Sequence, residues 1–453
     1  MRKAAYLLIA SLLIIISSCR KDFSAIPSFG NLEFSRDTVF LDTIFTNIGS
    51  STYNFKVYNR SNNSITIPKI TLENGTNSFY RLNVDGVPGK TFSDIDILAE
   101  DSLFIFVETT INFNEVINPI YTDKILFDTG EKQQNVDLVT LVRDAKFIFP
   151  ARDELSMKID SLTLDGQATS IQGRFSNDNE LVFTNEKPIV IYGYAAIPPN
   201  KTLEIQAGTQ VYFHNDSGII VDNEATLKVN GTISEKVIFE GDRLEPNFSK
   251  TSGQWGTIWL RAGSKANEIK HAQIKNGIIG ILVDSISDAS KPTLTLENTE
   301  LYNHTNFGIL AREASIKAHN VVIGSAGQAS LAVTIGGKYN FSHSTFANFW
   351  NNGIRQLPAV LINNFFIFTD NSGQEILETR PLQEATFTNC IFDGNNNFEF
   401  LLDVVNDGKT INYTIENSLI SFTDSNNDFS DIFEMDFDNN PNYQNVILNG
   451  FSN

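Results

Sequence analysis

A recurring spacing constrains this chain more than any other feature. Its template is an apolar residue, any residue, a second apolar residue, any residue, then Asn or His, with another apolar residue three places on. It fits Leu294-x-Leu296-x-Asn298 with Leu301, Ile316-x-Ala318-x-Asn320 with Ile323, and Tyr339-x-Phe341-x-His343 with Phe346. It also fits Val360-x-Ile362-x-Asn364 with Ile367, Ala385-x-Phe387-x-Asn389 with Phe392, and Tyr413-x-Ile415-x-Asn417 with Ile420. A shorter copy, Ile269-x-His271 with Ile274, comes first. The ladder residues His271, Asn298, Asn320, His343, Asn364, Asn389 and Asn417 thus stand 27, 22, 23, 21, 25 and 28 apart.

Period-two apolarity makes each repeat a strand, and a period of this length marks a solenoid, in which a repeat buries its apolar face only by stacking on its neighbours. One coil of a parallel β-helix is the unit that fits. At a bend between strands, Asn tolerates left-handed backbone, and its amide can bond its stacked neighbours, so that no buried polar group is left unpaired. Upstream, Leu203 to Phe213, Gly218 to Val221, Leu227 to Gly231 and Val237 to Phe239 read as earlier coils, with Gly208, Gly218 and Gly231 at turns. The β-helix is assigned to 186–453 and a connector or cap to 147–185.

Residues 31–146 read differently. Thr38 to Phe45, Asn54 to Tyr58, Ile65 to Leu72, Leu103 to Ile111, Lys124 to Phe127 and Val136 to Val142 are β-branched and aromatic runs separated by Asn, Gly and Asp. That pattern predicts a β-sandwich of immunoglobulin-like architecture, with Pro68 at an edge or bulge.

The chain opens with Arg2 and Lys3, an uncharged apolar stretch from Ala4 to Ile16, and Ile16-Ser17-Ser18-Cys19. The apolar core is too short to span a bilayer, which takes about 20 residues. The order of charge, apolar core, small residues and cysteine resembles a lipoprotein signal, with 1–18 removed, Cys19 lipidated and 19–30 a tether. Two or more acyl chains make a stable anchor. Arg2 and Lys3 leave with the signal, so 32 of the 34 basic residues remain against 53 acidic ones, a net charge of −21. Such a chain repels phosphate backbones, which argues against a nucleic-acid partner. With Cys19 lipidated, Cys390 is the only other cysteine, so no intramolecular disulfide forms.

The stretches FLDTIFTNIGSSTYNFKVYN (40–59), FYRLNVDGVPG (79–89), EDSLFIFVETTI (100–111), KPIVIYG (187–193) and GQWGTIWL (253–260) resemble a family of Bacteroidota lipoproteins. The resemblance runs through nearly all of the mature chain. It implies an N-terminal immunoglobulin-like domain followed by a right-handed parallel β-helix, and an outer-membrane lipid anchor on the periplasmic face or the cell surface. The family has no assigned activity, so it transfers no catalytic residue. Its members continue past an Asp- and Asn-rich last coil, whereas this chain stops at Asn453. Asp37-Thr38-Val39, Asp42-Thr43-Ile44, Asp101-Ser102-Leu103, Asp160-Ser161-Leu162 and Asp284-Ser285-Ile286 resemble the O-glycosylation signal of exported Bacteroidota proteins.

Function is read as a non-catalytic binding or adhesive scaffold for glycan or surface protein. The alternative is a polysaccharide lyase or glycoside hydrolase on the β-helix flank. That chemistry needs an acid and a base within reach of one sugar, yet Arg243, Arg261, Arg312, Arg355 and Arg380 are scattered and the sequence contains no Asp-Asp or His-Gly pair. His214, His304 and His319 lack metal-ligand spacing. Asp424-x-Asn426-x-Asp428 with Asp431 is a weak calcium candidate, lacking the central Gly and the Glu at position twelve; no other cofactor is expected. Cys390 follows Asn389 in the slot held elsewhere by Thr299, Ser344 and Ser418, and reads as a small buried filler. Trp255, Trp259 and Trp350 read as core before sugar platforms.

Overall fold

The computed structural model describes residues 24–112, 119–286, 290–370 and 372–450. The signal, Cys19 and the start of the tether therefore lie outside the described residues. The described chain is all-β, with short 3-10 turns and no α-helix. It divides into two compact units at Asp144/Ala145.

The first unit is two sheets over one core. Ile65–Leu72, Ile120–Phe127 and Gln134–Arg143 build one sheet; Tyr53–Tyr58, Tyr80–Val84 and Ser102–Thr109 build the other. Gln134–Arg143 alternates buried and half-buried residues along nearly its whole length, because one side of an antiparallel pair faces the core. Phe55 of one sheet meets Phe127 of the other edge to face at 6.4 Å. Pro68 falls in a gap in the pairing: Ile67 and Lys69 pair with Ile95 and Ser93, and the intervening Asp94 takes a left-handed φ of 54°. The tether expected over 19–30 ends early. Ile26–Pro27 runs parallel beside Ile65 and Thr66, and Ser28 Oγ and Gly30 N–H both bond the Asp128 carboxylate. This edge offered unpaired backbone groups, and the leading segment satisfies them.

The second unit consists of three long, mainly parallel sheets, as in a parallel β-helix. Between the first and last coils, each coil contributes one strand to each. In one coil Ile189–Ile191 lies on face 1, Tyr194–Ile197 on face 2 and Thr202–Gln206 on face 3, and Gln210–Phe213 returns to face 1. Among the described residues face 1 has eleven strands and faces 2 and 3 have ten each. Inward residues stack on their counterparts one coil away: Phe341 on Phe387 at 5.4 Å and Phe346 on Phe392 at 5.3 Å.

Residues 147–185, expected as a connector, belong to the solenoid. Lys146–Ile148 pairs with Ile189–Ile191, Gln167–Phe175 with Tyr194–Ile197, and Val182–Phe183 with Thr202–Gln206. The repeat was hidden because an antiparallel hairpin, Ser161–Leu164 with Gln167–Phe175, lengthens this coil. Its Leu162 and Leu164 cover Ala196 and Ile220 on the outer side of face 2. At the other end, residues 424–441 turn Met435 into the core, where the Leu402 N–H meets its sulfur at 3.4 Å.

Candidate functional site

Two corners of the solenoid carry stacked side chains. The corner from face 3 to face 1 holds His271, Asn298, Asn320, His343, Asn389 and Asn417, all at φ between 48° and 56°. Asn320 Nδ2 donates to Asn298 Oδ1 at 2.6 Å, and Asn389 Nδ2 lies 3.0 Å from His343 Nε2. Asn445 continues the row at φ 52°, its Nδ2 donating to Asn417 Oδ1 at 3.0 Å. Tyr443, Asn445 and Leu448 repeat Ile415, Asn417 and Ile420 after a further 28 residues, the signal that would have found it. These side chains are half or fully exposed. Their value is therefore tolerance of left-handed backbone more than rescue of buried polar groups.

Asn364 is not in this row. Val360–Asn363 is a face 2 strand, so Asn364 sits at the corner from face 2 to face 3. There it is fully buried, donating to the Val405 carbonyl at 2.9 Å and accepting from the Val405 N–H at 2.8 Å. Ile367, its expected inward neighbour, is exposed on a hairpin. The template matched because period-two apolarity is the same on every face.

The corner from face 1 to face 2 was not seen in the sequence. Phe149, Tyr192, His214 and Asp242 each immediately follow a face 1 strand, in four successive coils. Backbone bonds of 2.9 Å align them: Tyr192 N–H to Ile148 O, His214 N–H to Ile191 O, and Asp242 N–H to Phe213 O. Phe149 lies 5.0 Å from Tyr192, and Tyr192 stacks on His214 at 4.2 Å and 18°. His214 Nδ1 meets Asp242 Oδ2 at 2.8 Å, and this bond raises the imidazole pKa above its ordinary value despite partial burial.

Beside the stack lies a groove of about 670 Å³, lined by Tyr192, Tyr194, His214, Asn215 and Asp216, with Ser170, Ile171 and Gln172 of the hairpin as the opposite wall. Burial, then the Asp216 charge, pushes the Tyr194 phenol up to about 12, so it is a neutral hydroxyl at physiological pH. A Cβ on Gly256 would stand 2.0 Å from that hydroxyl oxygen, so this close approach requires glycine. No Lys or Arg lines the groove. It presents aromatic rings, amides, hydroxyls and one carboxylate, Asp216.

The arginines singled out in the sequence are committed elsewhere. Arg261 binds Asp165 and Asp222, Arg312 forks onto Asp284 at 2.5 and 2.8 Å, and Arg243 binds Glu245. Arg380 binds Glu378 and lies 3.6 Å from Glu313. Arg355 is buried against Glu399, whose carboxylate also accepts the N–H groups of Ala359 and Asn396. Trp255 is core, its Nε1 donating to Lys275 O at 2.9 Å, and Trp350 is also buried. Trp259 faces outward on face 2, and its Nε1 donates to Asp284 at 2.7 Å.

At the calcium candidate, both Asp424 oxygens accept backbone N–H groups, of Asp428 and Phe429, so the loop is closed by its own backbone. No group of three or more His, Cys, Asp or Glu among the described residues is placed to hold a metal ion. Cys390 is buried, its thiol pushed up to about 11 by desolvation, with Sγ 3.5 Å from the Thr388 carbonyl. No helix among the described residues is long and apolar enough to cross a membrane.

No protein-family model and no curated protein matches the chain. Among solved structures, a family 123 glycoside hydrolase from Clostridium perfringens aligns at 14% identity over 26% of each chain, with a TM-score of 0.16. The chain thus spans about a quarter of that protein's length. The catalytic unit of the thermostable GH87 α-1,3-glucanase from Streptomyces thermodiastaticus strain HF3-3 aligns at 12% identity, over 81% of this chain and 73% of its own, with a TM-score of 0.29. At these scores neither likeness carries an activity across.

Proposed function

We propose that this protein is a lipid-anchored scaffold of the outer membrane that binds non-acidic glycan in the corner groove, without catalysing its cleavage. Cys19 carries the anchor, the first unit is immunoglobulin-like, and the solenoid is right-handed. The observation that carries the binding function is the Tyr192–His214 stack in a groove whose lining offers the Asp216 carboxylate and no Lys or Arg. Sugar C–H groups pack against aromatic side chains such as Tyr192 and Tyr194 in the lining, and sugar hydroxyls donate to carboxylates. Uronic acids would meet Asp216 with no Lys or Arg in the lining to compensate.

A lyase would need a free cation at the developing carbanion, and a hydrolase a carboxylic acid kept protonated near a second carboxylate. The five arginines are bound to carboxylates, and the groove lining holds a single carboxyl group, Asp216, where a hydrolase needs two. The test is a glycan array with the Cys19→Ser protein, followed by turnover assays on the hits. Binding of neutral or amino sugars with no new reducing ends and no unsaturated product is expected. Turnover abolished by substituting Arg261, Arg312, Arg355 or Arg380 would replace this reading with the enzymatic one. The same Cys19→Ser change should move the protein from the membrane to the soluble fraction, and a variant still pelleting with the envelope would refute the anchor.

A further inference from the structure

Residues 365–379 form a structure foreign to the solenoid. Phe365–Thr369 pairs antiparallel with Glu375–Thr379, and neither strand pairs with any other among the described residues. The hairpin is inserted between a face 2 strand, Val360–Asn363, and a face 3 strand, Leu382–Thr388. Ile367 stands opposite Leu377, and the two are 57% and 48% exposed. On the other side of the hairpin Phe366 and Phe368 stack at 5.4 Å, with Ile376 opposite Phe368. Both sides are thus apolar, and a two-stranded ribbon of this kind is marginally stable without a further strand or a covering layer.

Its two edges are unlike. Glu375–Thr379 carries Glu375 and Glu378, the latter tied to Arg380. Phe365–Thr369 carries no charge and no proline, the devices that normally protect an edge from pairing with another chain. Its sequence, FFIFT, is also complementary to itself in the antiparallel sense. About a two-fold axis at Ile367, that residue meets its own counterpart and Phe366 meets Phe368 of the second copy. Pairing through the other edge would instead bring the two glutamate-bearing strands together, with Glu375 and Glu378 of both copies at the seam. We infer that Phe365–Thr369 is a homodimerisation edge, joining two copies into a four-stranded antiparallel sheet of hairpins. An isologous contact of this kind closes on itself and leaves no further uncharged edge to propagate.

Directly opposed residues in an antiparallel pair have Cα atoms about 4.5–5.5 Å apart, inside the roughly 4.4–6.8 Å that a disulfide spans. In a Cys19→Ser background, where the remaining Cys390 is buried, Ile367→Cys should therefore give a disulfide-linked dimer on mild oxidation. Leu377→Cys, comparably exposed on the other strand, should not. Sedimentation should show concentration-dependent dimers for the parent and monomers for Ile367→Lys, which places two ammonium groups on the axis. Equal cross-linking from both cysteines, or a parent that stays monomeric at the highest concentration it tolerates, would overturn the proposal. The cysteine pair decides the matter even if Ile367→Lys misfolds.

Discussion

The two stacked corners of the solenoid are built by the same backbone operation and use it oppositely. At the corner from face 3 to face 1, seven successive coils from His271 to Asn445 supply Asn or His in left-handed backbone, and neighbouring side chains bond one another. At the corner from face 1 to face 2, successive coils supply Phe149, Tyr192, His214 and Asp242, four different chemistries in one column. Uniformity serves the turn itself. Variety places a proton-bearing ring between an aromatic platform and a carboxylate, facing a groove. In a parallel β-helix, then, the corner that repeats is doing structural work, and the corner that stops repeating is where to look for a ligand.

The largest predicted effect marks where the second corner becomes structural. In a later coil Arg355 is buried against Glu399 there, so Arg355→Met should cost about 3–5 kcal/mol by stranding a buried carboxylate. Adding Glu399→Gln, which removes the charge and keeps an acceptor for the Ala359 and Asn396 N–H groups, should restore part of it, as read by denaturant unfolding. A double variant no more stable than the single one would show that the pair itself holds the corner.

The next effect is a dependence on pH. His304, at the end of a face 1 strand, is fully buried with Nε2 3.2 Å from the Ile274 carbonyl, and desolvation pushes its pKa down to about 4 from 6.5. The unfolded chain binds this proton more readily, so stability is complete above about pH 6.5 and falls toward pH 4, by about 3 kcal/mol for this group alone. His214 has the opposite sign. Its raised pKa means that its stabilising contribution is present at low pH and is lost as pH rises through the folded value. Melting curves across pH for His304→Gln and His214→Gln should therefore depart from the parent in opposite directions, and parallel departures would refute the assignment.

A smaller pair separates the two kinds of asparagine. Asn364→Leu strands both polar groups of Val405 and should cost about 1–3 kcal/mol. Asn389→Leu puts a branched side chain into left-handed backbone at about 1–2 kcal/mol, whereas Asn389→Gly should be nearly neutral. If glycine costs as much as leucine at 389, the side-chain bonds and not the backbone angle hold that corner.

Much of the solenoid was legible because its structural corner repeats one residue type at one spacing. Asn364 was misplaced because a matching run, VLINN, lies on another face, and a hairpin makes the true step from His343 to Asn389 46 residues. The coil before residue 186 was missed for a related reason, the hairpin over Ser161–Phe175. The candidate site was illegible because Tyr192, His214 and Asp242 share no residue type and are 22 and 28 residues apart. Only strand register, with Ile191 beside Phe213 and Phe213 beside Gly241, brings them into a column.

The central claim is that this varied corner binds and does not merely fold. Titration calorimetry of Tyr192→Ala, beside the parent and with the tightest neutral oligosaccharide from the array, tests it most directly. Loss of the Tyr192 ring predicts affinity weaker by about tenfold in a protein that still folds cooperatively. Unchanged affinity in a folded Tyr192→Ala protein would contradict the account and put the glycan elsewhere on the molecule.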